Sequence, residues 1–383
     1  MDSSIKKIIN SGLAGLSNVF ASNKSSMSAL GIDIGSSAIK IIQLKKKGGK
    51  AILETYGAIS LGPYANTDIG SVTNLGTDDI SRALIDLMKE ANTTIHTGAM
   101  SIPSSSVLIF TISLPQNKAT ENQMSTIVPL EARKYIPVPI SEVSLDWFVI
   151  PREIADFEKD SIKEPVDKVA VEPKIEVLVV AIHNEILTKS REILTKTQLN
   201  SDSFEIEVFS NIRSSLSHDV APVLLMDFGA SKTKISIVES GIVRLFHVVN
   251  RGSQDITRNI SQSLAISFKE AENLKRKVGI DATVDPRTSE IARLSIDYIF
   301  SDTNSVVLAY EKKYNKSISK VILTGGGSRM RGLLEYAILS FHTEVIYSNP
   351  FSKIESPAFL EQVLETSGPE FSVAIGLALR QLS

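Results

Sequence analysis

Apolar residues recur along this chain at two periods. From Leu30 onward, short runs with the two-residue alternation of strands trade places with stretches at the three-to-four spacing of helices, the order of an α/β protein. Strands are predicted over 30–34, 39–44 and 51–60, then a helix over 78–90 that presents Leu84, Leu87 and Met88 on one face behind a cap at Thr77 or Asp78. Two strands fill 98–114, broken at Pro103 and Ser104. A helix over 120–135, interrupted at Pro129, runs into a proline-rich bend. Strands over 143–150 and 175–182, a helix over 185–197 and a strand over 203–207 complete the first half. The second half reads as strands over 223–228, 235–239 and 245–249, helices over 255–265, 268–276 and 288–314, a buried strand over 321–323, a helical stretch over 329–340, a strand over 344–347 and a closing helix over 371–382.

Two segments stand apart from this alternation. Ile5, Ile8, Ile9, Leu13, Leu16, Val19 and Phe20 sit at helical spacing with Lys6, Lys7, Asn10 and Asn18 between them, so residues 1–20 read as an amphipathic helix and 22–28 as a linker. Such a helix suits a membrane surface, although two lysines give thin electrostatic support; it equally suits capping of the folded body or docking on a partner. Residues 151–173 are charged and proline-bearing, the composition of an exposed loop.

Composition then narrows the chemistry. With no cysteine among 383 residues there is no disulfide framework, thiolate metal site or cysteine nucleophile. Five scattered histidines show no ligand spacing, so no zinc site is expected. A net charge of −2 gives no global field for nucleic acid, and no local basic patch stands out, so no nucleic-acid partner is expected. No apolar run approaches the roughly 20 residues of a membrane span, and no signal core argues for secretion.

The chain also echoes itself. A shift of 194 positions, from 33 to 227, aligns Asp33, Gly35, Ser37, Lys40 and Ile41 with Asp227, Gly229, Ser231, Lys234 and Ile235. Each copy follows an apolar strand and precedes another, which makes a β-hairpin with an acidic tip and a glycine turn rather than a strand-to-helix phosphate loop. At Gly35 and Gly229 a positive φ would let successive amides converge on an anion, with Ser36, Ser37 and Ser231 adding hydroxyls. Two aspartates beside phosphate make sense with a divalent cation between them, and Mg²⁺ suits carboxylate and water ligands. One such hairpin alone would be an ordinary turn; two in register, each heading a half, point to phosphate chemistry.

A third glycine run, Gly325, Gly326 and Gly327, follows the strand over 321–323. Met330 stands where a dinucleotide fingerprint needs glycine, and no GxxxxGK[ST] run occurs, so neither a Rossmann nor a Walker site is complete. The run instead suits close backbone approach to a flat base or ribose.

Two Asp-Gly hairpins followed by a strand and three glycines resemble the phosphate-1, phosphate-2 and adenosine motifs of the actin, Hsp70 and hexokinase superfold, over the whole chain after Ser28. Within it the chain resembles the PilM family of type IV pilus assembly proteins, on GIDIGSSAIKIIQL at 31–44, EARKYIPVPISEVSLDW at 131–147, VLVVA at 177–181, DITRNISQSLAISFKEAENLK at 255–275 and FSVAIGLALR at 371–380. The resemblance implies an actin-like ATPase fold of two related lobes around a nucleotide cleft. It divides the chain into a leader (1–28), lobe one (29–220, with an inserted subdomain near 116–172), lobe two (221–368) and a C-terminal helix returning to lobe one (369–383).

It also implies roles. Asp33 and Asp227 would hold Mg²⁺ through water, with Gly35, Ser36, Ser37, Gly229, Ala230 and Ser231 cradling the phosphates of ATP and Lys40 within reach. Glu207 matches the carboxylate that orients the attacking water in Hsp70-like and MreB-like ATPases; read alone, it is equally a surface glutamate. Glu272 and Lys275 match ribose and adenine contacts, or form a solvated helix pair. Gly252 belongs to a turn in which Ser253 replaces a usual second glycine. Lys232 replaces a usual Ser or Thr at the second hairpin's tip, which makes nucleotide binding the firmer expectation than turnover.

The inserted subdomain implies a groove lined by Tyr135, Ile136, Val138 and Ile140 for the cytoplasmic N-terminal peptide of a PilN-type inner-membrane protein; without the resemblance these residues read as core. The implied place is the cytoplasmic face of the inner membrane, alongside other pilus platform proteins. A filament-forming relative of FtsA or MreB is the alternative. A small-molecule kinase is a weaker one, because no aspartate beyond the hairpin tips offers a catalytic base.

Overall fold

A computed structural model of the chain describes residues 28–116, 123–151, 174–200, 203–217 and 219–383. The amphipathic segment over 1–20 and nearly all of its linker and of the charged loop lie outside the described residues.

Two five-stranded sheets repeat one topology. The first contains β1 (Ser28–Ile34), β2 (Ala38–Lys47), β3 (Lys50–Ser60), β4 (Gly98–Ile102) and, after the inserted strands β5 (Val107–Pro115), β6 (Val143–Val149) and β7 (Lys174–His183), also β8 (Ser203–Ile206). Its spatial order is β3-β2-β1-β4-β8, antiparallel across the hairpins and parallel beyond β1. The second sheet is β11 (Ile242–Val249), β10 (Thr233–Glu239), β9 (Val223–Phe228), β12 (Lys320–Thr324) and β13 (Glu344–Tyr347), with the same pattern of directions. The sequence echo is thus the visible part of a repeated architecture. β5, β7 and β6 form a separate three-stranded antiparallel sheet, whose core closes under a helix α2 (Met124–Ala132).

Helices cover the sheets in the α/β manner. α1 (Thr77–Glu90) and α3 (Asn184–Lys196) bury Leu84, Leu87, Leu187 and Ile193 against the first sheet. α4 (Glu207–Ser215) follows β8 directly. In the second half come α5 (Ser253–Leu264), α6 (Phe268–Val278), α7 (Pro286–Tyr314) and α8 (Leu333–Phe341), and α9 (Glu361–Leu382) ends the chain.

α9 joins the halves. Its second part buries Phe371, Ala374, Ile375 and Ala378 with Ala29, Ile42 and Leu44 of the first sheet. Near its middle, the Pro369 carbonyl accepts hydrogen bonds from the Gly325 amide (2.8 Å) and Thr324 Oγ1 (2.9 Å) of the second. Contact with lobe one is close enough that a Cβ on Gly376 would sit 1.9 Å from the Ser210 carbonyl oxygen. Gly376→Ala is therefore expected to lower stability by about 1–3 kcal/mol, because backbone cannot yield as a side chain tip can. An unchanged urea midpoint would contradict this packing.

Several boundaries differ from the sequence reading. The closing helix starts at Glu361 rather than 371 and runs through Pro369. α2 likewise runs through Pro129 without interruption and ends at Ala132, and Tyr135 lies beyond it. Glu207 opens a helix instead of closing a strand.

Candidate functional site

Both acidic hairpin tips lie at the end of a central strand. Asp33 is buried, opposite Lys40 in the β1–β2 register, with Lys40 Nζ 3.9 Å from its Oδ2 and Ser101 Oγ donating to its Oδ1 at 3.1 Å. Asp227 stands opposite Lys234 in the β9–β10 register, with Nζ at 3.1 Å from its Oδ2.

The turns themselves are tighter than expected in one respect and different in another. Neither Gly35 nor Gly229 has a positive φ. Their need for glycine comes from close approach: a Cβ on Gly229 would lie 2.8 Å from the Lys232 carbonyl oxygen, and one on Gly35 3.0 Å from that of Ala38. Gly35 and Gly229 each donate their amide across the turn, to Ala38 and Lys232. The carbonyls of Ser36, Ser37, Gly229 and Ala230 accept from Thr73, Leu61, Ser253 and Gln254. The amides of Ser36, Ser37, Ala230 and Ser231 donate to no protein acceptor among the described residues. Each turn therefore ties down its carbonyls and leaves a pair of adjacent donors, the polarity that suits an anion. Lys232 is half-buried and forms no ion pair among the described residues.

Glu207 is buried and belongs to this cluster, not to the surface. Its Oε1 accepts the Ser104 amide at 2.7 Å and faces Lys234 Nζ at 2.8 Å. Burial pushes its carboxyl above the usual range and Asp227 and Asp33 add to this, against the opposing pull of Lys234. For Lys234, burial favours the neutral amine, but Asp227, Glu207 and Asp33 outweigh it and raise its pKa. A cavity of about 10 Å³, room for about one water, adjoins Ser104, Glu207, Asn211, Asp227 and Lys234.

Glu272 and Lys275 are likewise buried rather than a solvated pair. The Ser267–Glu270 capping box starts α6, with the Ser267 amide donating to Glu270 Oε2 at 2.9 Å, and fixes which face carries them. Glu272 Oε2 accepts from Lys275 Nζ (2.6 Å) and Thr257 Oγ1 (2.7 Å), and Lys275 also reaches the Ser253 carbonyl at 3.2 Å. The network thus touches the Gly252 turn, which the Ser253 and Gln254 amides latch to the second hairpin.

The three-glycine run serves the protein's own packing more than expected. Gly325 has φ +82°, and a Cβ there would meet Asp227 Oδ1 at 2.3 Å; at Gly327 it would strike the Phe228 ring. Of the three, Gly326 alone has ordinary room; at Gly325 and Gly327 the close approach within the protein is to β9.

In the inserted subdomain Ile136 packs into the core and Val138 is half-buried against it, which removes Ile136 from the expected groove. Tyr135 and Ile140 are exposed, and the Tyr135 ring stacks on Phe110 at 5.1 Å. Phe110 also lines a groove of about 230 Å³ between the edge strand β5 and the edge strand β11, with Ile109, Val243, Leu245, Phe246 and Lys313.

Sequence reasoning missed Ser101, Ser104 and the role of Lys234. Ser101 lies within β4 and Ser104 just after it, neither in a motif. Lys234 was already marked by the echo with Lys40.

Two lobes with duplicated five-stranded sheets and facing hairpin tips define an actin-like ATPase fold. The chain belongs to the type IV pilus assembly protein PilM family, whose description matches residues 31–382. It is similar in structure to a PilM–PilN type IV pilus biogenesis complex, with a TM-score of 0.75 and 23% identity over 94% of this chain and 100% of that one. EutJ, an ethanolamine utilization protein of Carboxydothermus hydrogenoformans, has a TM-score of 0.51 and 13% identity over 98% of this chain and 96% of that one. Cell division protein FtsA of Neisseria meningitidis is 24% identical over 272 residues, 65% of this chain and 64% of that protein. FtsA of Bacillus subtilis is 21% identical over 270 residues, 65% of this chain and 58% of that protein. Among the described residues no helix is long and apolar enough to cross a membrane.

Proposed function

We propose that this chain is a nucleotide-binding component of a type IV pilus assembly platform, on the cytoplasmic face of the inner membrane, and that it binds the N-terminal tail of a PilN-type membrane protein. The observation that carries the nucleotide reading is that the amides of Ser36, Ser37, Ala230 and Ser231, in turns at equivalent ends of two repeated sheets, donate to no protein acceptor among the described residues. Ser36 and Ser37 on one side, and Ala230 and Ser231 on the other, would hold the phosphates of ATP. The chemistry of the donor set fits Mg²⁺ as well: Asp33 and Asp227 are hard oxygen donors. No group of three acidic or histidine side chains is spaced for direct ligation among the described residues, so water and phosphate oxygens would complete the shell. Bound Mg²⁺ would supply charge neutralisation of the phosphates. Glu272 and Lys275, fixed by Thr257, would border the ribose from α6.

Partner binding draws support from the exposed Tyr135–Phe110 stack and the apolar groove beside it. Among the described residues β5 and β11 both present unpaired sheet edges there, so an extended peptide finds backbone partners as well as apolar pockets.

Titration calorimetry tests both parts: ATP with Mg²⁺ first, then a synthetic PilN-type N-terminal peptide. Peptide affinity is expected to fall about tenfold in Tyr135→Ala, in line with loss of a central aromatic contact. Equal affinity in the variant would remove this face from consideration, and no heat with ATP would remove the nucleotide reading.

A further inference from the structure

Lys234 comes from lobe two and Glu207 from lobe one, yet they meet at 2.8 Å, while the same ammonium lies 3.1 Å from Asp227. The repeat-related Lys40 makes no such bridge and stands 3.9 Å from Asp33 of its own hairpin. The two hairpins are alike in sequence but differ in what their lysines do.

Glu207 Oε1 already takes the Ser104 amide at 2.7 Å, so the Lys234 ammonium is its second partner on one oxygen. Hydrolysis of ATP adds a water oxygen to the γ-phosphorus and breaks the bond to the β,γ-bridging oxygen. ADP and phosphate leave, and the water's proton passes to a carboxylate or to the phosphate. A carboxylate that positions this water needs an oxygen directed at it, and an adjacent ammonium weakens its pull on the proton. Charge points the same way. Three carboxylates, Asp33, Glu207 and Asp227, face two ammonium groups, Lys40 and Lys234; removing Lys234 doubles the negative excess that a triphosphate meets.

We propose that Lys234 is a built-in cation of the lobe boundary, which holds Glu207 and Asp227 together so that the site retains nucleotide with slow turnover and reduced need for Mg²⁺. The proposal rests on the nucleotide reading above and specifies how that site is restrained.

The test compares the full chain with Lys234→Met and Lys234→Arg, and with Lys234→Met combined with Glu207→Gln. ATP affinity is measured with Mg²⁺ and with EDTA, and phosphate release in a single turnover. In Lys234→Met the ratio of affinities with and without Mg²⁺ is expected to rise at least about tenfold, the effect of one charge at this range. Phosphate release is expected to speed up by about tenfold or more, and the added Glu207→Gln to cancel that gain. Lys234→Arg should behave as the unaltered chain. Should Lys234→Met fail to fold, Lys234→Gln, which can still hydrogen-bond to Glu207 without the charge, carries the same two measurements. An unchanged Mg²⁺ ratio together with unchanged phosphate release overturns the proposal while leaving nucleotide binding intact. Failure of the unaltered chain to bind ATP overturns both.

Discussion

Glu205→Ala is expected to destabilise the fold by about 3–5 kcal/mol, the usual consequence of removing one partner from a buried ion pair. Glu205 lies in β8, the neighbour of β4, with no exposure, and Arg213 of α4 grips both of its oxygens, at 2.6 and 2.8 Å. Arg380 of α9 adds a third contact at 3.4 Å, and Ser210 Oγ donates to the same carboxylate. Both guanidiniums also reach backbone: Arg213 the Gly376 carbonyl at 3.1 Å and Arg380 the Phe204 carbonyl at 3.0 Å. The carboxylate therefore balances two cations that fasten the C-terminal helix to lobe one. Without it they remain close together among apolar side chains, and Arg380 has little solvent to turn to. The solvent-exposed Lys134–Glu131 pair offers the contrast, since such pairs contribute little. Urea unfolding of Glu205→Ala checks this, and a loss below about 1 kcal/mol would mean that the cations relax to water at little cost.

How much of this was legible depended on whether a feature is local. β9 and β13 appear at the bounds that apolar runs alone predict, because a short apolar run is its own signal. The hairpin echo was legible too, and with it the duplication. α4 was not: Glu207 to Ser215 is nine residues whose buried face includes Ser210, Asn211 and Ser214, so no apolar stripe announces it. Ser101 acts only because β4 pairs beside β1, and Ser104 only because β4 also pairs beside β8, contacts across 68 and 103 residues that no spacing encodes. The glycine reasoning erred for the same cause. Gly229 and Gly325 are glycines because other backbone lies against them, and only Gly325 has the positive φ that a turn motif suggests. Ile136 shows the limit from the other side, since an apolar residue at a proline bend reads alike whether it faces a partner or the subdomain core.

Asp33→Asn is expected to weaken ATP binding in Mg²⁺ by about a hundredfold or more, about 2.8 kcal/mol on the scale where tenfold is 1.4. Asparagine keeps the shape and an acceptor for Ser101 Oγ, so the change isolates charge from packing. The sign of the effect then depends on the metal. Toward bare ATP a buried carboxylate is repulsive, and losing it leaves Lys40 uncompensated, so affinity in EDTA should hold or rise. Toward Mg²⁺-ATP the same carboxylate is attractive through the ion and its waters, so affinity should fall. A structural aspartate would lower both together through loss of fold, and a residue remote from phosphate would change neither. Only a carboxylate beside a metal-bound triphosphate makes the two measurements move apart, and full affinity of Asp33→Asn in Mg²⁺ would remove the first hairpin from the site.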